Sequence, residues 1–270
     1  MKLMKIEHHK DGYINELNVD GYNLIYPWSI EFADSYSFFS LENVGFGNLR
    51  TNWVTKRNGD GTRGKMDVEM KEGKVRLEYE NIGIDNKIYR KASITALKDT
   101  YLMDFVIQYR FKKEFFEKGE IAGKTIRHRN SNIYYQYQVD RVELIGDRYK
   151  VLVKVKNFEG AEKFDRYMYI RDKGSEWIVH CRLIPKVADK EVIKLNVRWY
   201  NKAIPRILGN ALLKNKKLRE TLLYRSERKP YRKWLRPIKI LNPSAYKLVR
   251  LEEGETVELA TVMEVIKSSR

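Results

Sequence analysis

The chain has 270 residues, of which 43% are hydrophobic and 12% aromatic, a composition typical of a folded globular protein. Its single cysteine, Cys181, excludes an intrachain disulfide and fits a reducing compartment. The N-terminal segment lacks the apolar core of a signal peptide, and no apolar run approaches the ~20 residues that cross a bilayer. These features predict a soluble, cytoplasmic protein.

The charge of the chain is strongly basic and unevenly distributed. The formal net charge is +17 at pH 7. Between Tyr200 and Arg250 the sequence has fifteen lysines or arginines and only two acidic residues, Glu220 and Glu227, so the rest of the chain is close to balanced. An excess of this kind predicts an anionic partner, which is nucleic acid, an anionic membrane surface or an anionic polysaccharide.

The first half of the chain has the patterns of short strands. Apolar segments in residues 1–26 are separated by Asp-Gly pairs, which favour turns. Residues 29–66 mix aromatic residues with Gly, Asn and Asp and predict an ordered loop packed on the body. Strict alternation then appears, as in TYLMDFVIQYRFK, where Asp104, Gln108 and Arg110 oppose a row of apolar side chains.

The second half adds two hairpin-like segments, one helix and a closing strand. The helix is predicted from Pro205 to Tyr224, where apolar residues recur every three or four positions. Many antiparallel strands with one late basic helix predict a mainly β fold, an antiparallel β-sandwich of the supersandwich kind. We predict a single domain over residues 1–270, in which residues 202–245 form a basic helix-plus-loop appendage.

Two segments, 125–140 and 176–185, combine histidine, arginine and aromatic residues, which suits a polar, anionic, ring-shaped ligand. His128 and His180 are the candidate catalytic residues, a general base and acid, because imidazole titrates near neutral pH. Arginine binds carboxylate and phosphate in bidentate fashion. The candidate ligand-binding residues are Arg127, Arg129, Asn130, Tyr134, Arg182, Asn196 and Arg198.

These residues form one site only if their strands share a sheet. Alternation puts His180 and Arg182 on the polar face of one strand, and Asn196 and Arg198 on the polar face of another. A sheet that faces water on one side carries similar polar residues, so a plain solvent-facing surface is the alternative. Candidates for a second acid–base group are Glu176, Asp104, Asp140 and Asp172, and the sequence does not select among them.

Several standard chemistries leave no trace in the sequence. It has no glycine-rich phosphate loop, no GxSxG elbow and no CxxC or HExxH spacing. We therefore predict neither a cofactor nor a metal. Cys181 lies on the apolar side of its strand, which predicts a buried core thiol rather than a nucleophile.

The segments TIRHRNSN, EWIVHCRLIP and LEEGETVELATVMEVI, in a chain of nearly all antiparallel strands, resemble the galactose-mutarotase-like β-supersandwich. That class includes aldose epimerases and the sandwich domains of polysaccharide lyases. In mutarotases two histidines and a glutamate handle the sugar. The resemblance implies that His128 and His180 match the histidines, and it assigns no residue to the glutamate.

The predicted function is a carbohydrate-binding or carbohydrate-modifying protein that acts on an acidic sugar or an anionic polysaccharide. One alternative is a nucleic-acid-binding protein, in which the basic third neutralises phosphates and Tyr224, Tyr231 and Trp234 stack on bases. Another is a peripheral protein that docks on an anionic membrane or in an assembly through the basic helix. A helix packed on the sandwich with a solvated basic face explains the same composition.

Overall fold

A computed structural model describes residues 4–42, 45–130, 133–197, 200–217, 219 and 243–268. The described part is dominated by β-strands. Its first eleven strands are β1 (Met4–His8), β2 (Ile14–Val19), β3 (Tyr22–Asn23), β4 (Ile30–Ala33), β5 (Phe38–Ser40), β6 (Leu49–Asn58), β7 (Gly61–Met70), β8 (Gly73–Ile84), β9 (Lys87–Lys98), β10 (Thr100–Leu102) and β11 (Asp104–Lys112).

The remaining elements include a short 3₁₀ turn at Lys113–Phe115 and one helix, α1, at Arg206–Lys214. The other strands are β12 (Lys118–Ile121), β13 (Lys124–Arg127), β14 (Tyr134–Tyr137), β15 (Arg141–Ile145), β16 (Tyr149–Glu159), β17 (Phe164–Lys173), β18 (Glu176–Pro185), β19 (Lys190–Val197), β20 (Tyr200–Ala203), β21 (Pro243–Leu251) and β22 (Thr256–Lys267).

The strands assemble into four antiparallel sheets. The largest has nine strands in the order β13-β12-β15-β16-β22-β9-β8-β7-β6, and the second has six in the order β14-β17-β18-β11-β4-β5. A four-stranded sheet, β10-β21-β19-β20, and a three-stranded sheet, β1-β2-β3, complete the described part. The mainly β, antiparallel sandwich with one late helix that the sequence predicts is confirmed.

The two large sheets bury one continuous apolar core between them. On β11 the side chains of Phe105, Ile107 and Tyr109 enter this core, and on β18 those of Val179 and Cys181 do so, together with residues from most strands of the nine-stranded sheet. Successive strand residues point to opposite faces, so each strand that buries this set turns its alternate residues outward. The six-stranded sheet therefore has one core face and one open face.

Some predictions need correction. Residues 29–66 hold strands β4, β5 and β6 rather than a loop, because Phe32 and Phe39 stack in the core with ring centroids 4.5 Å apart. Helix α1 ends at Lys214, since Asn215 has an extended backbone. Lys216, Lys217 and Arg219 are again helical, whereas the last residues of the predicted helix and most of the basic appendage, residues 220–242, lie outside the described residues.

Helix α1 packs on the rest of the protein with only part of its apolar stripe. Leu213 packs beside Ile193 and Ala245, whereas Ile207 and Leu208 are 84% and 58% exposed. The apolar stripe of α1 therefore splits into a packed edge and an exposed face. No helix within the described ranges is long and apolar enough to span a membrane.

A buried arginine connects the two large sheets. Arg90 on β9 is 2% exposed, and it donates hydrogen bonds to Asn81 Oδ1 (3.0 Å), to the Gln108 carbonyl (2.6 Å) and to the Ser29 carbonyl (3.0 Å). Its guanidinium also lies 4.9 Å from the ring centroid of Tyr109. Burial lowers the pKa of Arg90. Neutral oxygens thus satisfy a cation inside the core, and they fix the sheets in one relative position.

We expect Arg90→Leu to lower the free energy of unfolding by about 3 kcal/mol or more, because it leaves buried carbonyl and amide oxygens without a donor. Chemical denaturation measures this loss. Arg57→Leu, at an exposed position on β6, is the matched control and should change stability by less than ~0.5 kcal/mol. Equal effects of the two substitutions would contradict the bridging role of Arg90.

Candidate functional site

The open face of the six-stranded sheet forms a cleft of about 410 Å³. Strand register builds its floor: Gln108 on β11 pairs with His180 on β18, and His180 pairs with Tyr169 on β17. Glu31 on β4 lies on the same face, since it pairs with Val106, two residues from Gln108. The polar residues of this cleft are Glu31, Glu42, Asp104, Gln108, Arg110, Tyr134, Tyr169, Arg171, Lys173, Glu176, His180 and Arg182.

His180 is at the centre of a buried polar cluster. Its Nε2 lies 3.1 Å from the Tyr169 hydroxyl, 3.2 Å from Gln108 Nε2 and 4.0 Å from Glu31 Oε2. Gln108 Nε2 also donates to Glu31 Oε1 at 2.7 Å. A hydroxyl and an amide can both donate to this ring nitrogen, which favours a neutral imidazole with its proton on Nδ1.

The surroundings push the pKa values of His180 and Glu31 in opposite directions. Burial, and then the charges of Arg182, Arg171 and Arg110, hold the pKa of His180 well below its usual range. Burial, reinforced by Glu42 and Asp104, raises the pKa of Glu31 to about 8. At neutral pH the imidazole is therefore neutral and the Glu31 carboxyl is protonated. Two neighbouring groups whose pKa values are shifted in opposite directions are the pattern expected of an acid–base pair.

Two ion-pair groups border this cluster. Arg182 contacts Asp104 and donates from Nη1 to Gln136 Oε1 at 3.1 Å. On the other side, Arg110 donates from Nε to Glu176 Oε2 at 2.6 Å and lies 3.3 Å from Glu42 Oε2. These contacts hold the walls of the cleft in place, because a buried or partly buried guanidinium with a carboxylate partner has little freedom to move.

One end of the cleft is positive. The Arg171 guanidinium lies 4.4 Å from the ring centroid of Tyr134, and Lys173 follows two residues later on the same face. Burial and the charge of Arg171 lower the pKa of Lys173. Arg171 also lowers the pKa of His180. The positive potential at this end therefore reaches the floor of the cleft.

His128 lies on the other side of the sheet. Its Nδ1 contacts Asp172 Oδ1, and its ring centroid is 5.8 Å from that of Trp177, which points into the core. Asp172 and Trp177 form a cross-strand pair one position away from those that face the cleft, so their side chains point to the opposite face. The structure does not bring His128 and His180 together, which corrects the expected pairing of the two histidines.

The other predicted residues divide into those in the cleft and those outside it. Tyr134 and Arg182 line the cleft. Arg127, Arg129 and Asn130 are exposed. The Arg129 N–H donates to Asp172 Oδ2 at 2.7 Å and Asn130 Oδ1 accepts from the Gly174 N–H at 2.6 Å, so these contacts hold the loop before β14 against β17.

The expectation that β19 shares the sheet of β11 and β18 is wrong. Asn196 belongs to β19, which pairs with β20 and β21 in the four-stranded sheet. Arg198 lies outside the described residues. Alternation along β19 does not identify its neighbours, because the partner of a strand depends on contacts distant in sequence.

Sequence reasoning missed Glu31 and Tyr169. Glu31 lies between Ile30 and Phe32, an alternation that was hidden because the segment was interpreted as a loop. Tyr169 follows the buried Met168, and the sequence pattern does not distinguish it from the core residues around it. Within the part of the chain that the structure describes, no group of three or more His, Cys, Asp or Glu residues could hold a metal ion.

This architecture is shared with solved structures of other proteins, although sequence comparison finds no match. No family model matches the chain, and no curated protein matches it in sequence. The galactose mutarotase related enzyme of Lactobacillus acidophilus superimposes with a TM-score of 0.55 at 8% identity, over 100% of this chain and 96% of that chain. The galactose mutarotase-like protein of Lactobacillus casei ATCC 334 gives 0.50 at 9% identity, over 98% of both chains.

The chain has the galactose-mutarotase-like supersandwich fold. The resemblance that the sequence pattern indicated is confirmed at the level of the fold. Identities below 10% show a shared fold and do not transfer the activity of either protein.

The raised pKa of Glu31 has a measurable consequence for stability. In the folded protein Glu31 keeps its proton up to a pH of about 8, while in the unfolded chain it loses it near its ordinary value. The folded state therefore binds more protons between these values, and stability falls as pH rises through this window. Replacing Glu31 with glutamine removes this loss.

We expect Glu31→Gln to gain about 3 kcal/mol of stability relative to the parent between pH 5 and pH 8, because each unit of pKa shift corresponds to ~1.4 kcal/mol. Urea denaturation at both pH values measures the difference. Glu162→Gln, at an exposed position, should show no such dependence. A Glu31→Gln variant whose stability parallels that of the parent across this range would show that Glu31 is ionised in the cleft.

Proposed function

We propose that this protein binds and modifies a carbohydrate that carries an acidic group, and that His180 and Glu31 transfer protons to and from the sugar. The observation that carries the proposal is the buried pair itself. The imidazole of His180 and the carboxyl of Glu31 lie 4.0 Å apart on the floor of a cleft in a galactose-mutarotase-like fold. The Lactobacillus acidophilus protein of the same fold is a galactose mutarotase related enzyme, which agrees with a sugar substrate.

The pair suits the opening of a sugar ring at its anomeric carbon. In the substrate complex the anomeric hydroxyl replaces the Tyr169 hydroxyl as the donor to His180 Nε2, which takes its proton, and Glu31 delivers its proton to the ring oxygen. The bond between the anomeric carbon and the ring oxygen breaks, and an aldehyde forms. Ring closure on the other face reverses both transfers and yields the other anomer, so no cofactor is consumed. General acid–base catalysis of this kind contributes roughly 10²–10⁴-fold to a rate.

Other groups of the cleft suit a sugar ring. Gln108 Oε1 is buried and has no hydrogen-bond partner within the described residues, so it is an acceptor for a sugar hydroxyl. The rings of Tyr134 and Tyr169 meet edge to face, with centroids 5.4 Å apart, and form one aromatic wall. Sugar rings present C–H faces that pack on such aromatic surfaces, which orients the substrate above His180.

The charge of the cleft favours an acidic substrate. With Glu31 protonated, four basic residues face three acidic ones; the basic set is Arg110, Arg171, Lys173 and Arg182, and the acidic set is Glu42, Asp104 and Glu176. Arg110 and Arg182 contact carboxylates of the walls, and Lys173 Nζ lies 4.0 Å from Glu176 Oε1. Arg171 and Lys173 lie together at one end of the cleft, so the acidic group of the sugar is expected there.

We expect His180→Gln and Glu31→Gln each to lower the rate of anomer interconversion by about 100-fold. Proton exchange spectroscopy of galacturonate or glucuronate, at a concentration that saturates the protein, measures the rate. His128→Gln is the matched control, since His128 lies on the core side of the sheet, and it should keep the parental rate. If His128→Gln is as damaging as His180→Gln, or if the protein accelerates none of these sugars, the proposal fails.

We expect Arg171→Met and Lys173→Met each to weaken binding of a uronate about tenfold and to leave binding of the corresponding neutral sugar nearly unchanged, because only the acidic group contacts this end of the cleft. Isothermal titration calorimetry gives both affinities. Lys118→Met, on β12 of the other large sheet, is the control. Equal losses for the uronate and the neutral sugar would contradict the assignment of the positive end.

A further inference from the structure

The cleft continues beyond Arg182 into a second, smaller compartment of about 170 Å³. The two spaces share a boundary formed by Met103, Arg182 and Tyr246. Strand register explains the continuity: Tyr169 pairs with His180, and two residues earlier on β17 Tyr167 pairs with Arg182. The second compartment is therefore the next step along the same open face, about 7 Å from the first.

The second compartment has the same chemical character as the first. Tyr167 contributes a half-buried ring, and burial together with the charge of Asp165 raises its pKa. Two lysines, Lys186 and Lys247, stand against the single acidic residue Asp165. An aromatic surface beside an excess of positive charge thus occurs twice along one face.

The contacts of these side chains keep the compartment positive. Lys247 Nζ donates to the Lys186 carbonyl at 3.3 Å, which does not neutralise its charge. Lys186 Nζ donates to the Ala161 carbonyl and lies 3.7 Å from Asp165 Oδ1, an exposed pair that is only weakly attractive. An anionic group entering this space meets at least one uncompensated cation.

Arg182 lies at the boundary in a fixed position. It is 6% exposed, its Nη1 donates to Gln136 Oε1, and its Nη2 contacts Asp104. Its guanidinium carbon also lies 5.3 Å from the ring centroid of Tyr169, the partner of His180. A ligand that fills both compartments passes over this guanidinium, which is rigid enough to set the register of the ligand along the cleft.

We propose that the ligand is an anionic oligosaccharide with at least two sugar units in the cleft. This inference rests on the proposed function, and it names the size and charge of the substrate. The unit that reacts lies over His180 and Glu31. The adjoining unit lies over Tyr167, and its acidic group contacts Lys247.

Calorimetric titrations with monomers and dimers of the same acid test this inference. The probes are galacturonate, glucuronate and mannuronate, each as monomer and as the linked dimer. For at least one of these acids the dimer should bind about tenfold more tightly than the monomer, because it makes a second set of aromatic and ionic contacts. Tyr167→Ala and Lys247→Met should abolish this gain and leave the affinity for the monomer unchanged.

Matched controls on the outer surface are Tyr89→Ala and Lys154→Met, which should keep the gain for the dimer. If the monomers bind and none of the dimers binds more tightly, this inference is overturned while the proposed function stands. If Tyr167→Ala weakens the monomer and the dimer equally, the second compartment does not hold a separate unit. If neither the monomers nor the dimers bind, the proposed function fails, and this inference fails with it.

Discussion

The buried guanidinium of Arg90 fixes the strands that form the floor of the cleft, from the core side of the sheet. Arg90 reaches from the nine-stranded sheet to the carbonyls of Ser29 and Gln108, which belong to the β4 and β11 region of the six-stranded sheet. Those two strands carry Glu31 and Gln108 on the open face. The separation of the polar groups on the floor of the cleft therefore depends on a contact made entirely inside the core, where no water competes for the donors.

Burial also determines the chemistry of the two titratable groups on the floor of the cleft, Glu31 and His180. Moving a carboxyl and an imidazole out of water disfavours the charged form of each, so the pKa of Glu31 rises and that of His180 falls. The flanking arginines add to the effect on His180, and the flanking acids add to the effect on Glu31. Position in the sheet therefore determines both pKa shifts.

The sequence predicts features that depend on neighbouring residues, but not those that depend on contacts distant in the chain. Side-chain direction along a strand is a local property, so alternation was enough to place Gln108, His180 and Arg182 on one polar face. His128 lies in the loop that enters β14, and its position is set by Asp172, 44 residues away in the chain. The assignment of β19 to a different sheet and the role of Glu31 likewise depend on strand pairing, which no short pattern encodes.

The most direct test of the account is ¹⁵N NMR spectroscopy of the His180 imidazole, recorded in the parent protein and assigned with His180→Gln. We expect a neutral ring with its proton on Nδ1, which gains its second proton only well below the ordinary pKa of ~6.5. A ring that gains its second proton near pH 6.5 would contradict it, because His180 would then be an exposed or ion-paired histidine and not the neutral base of a buried acid–base pair.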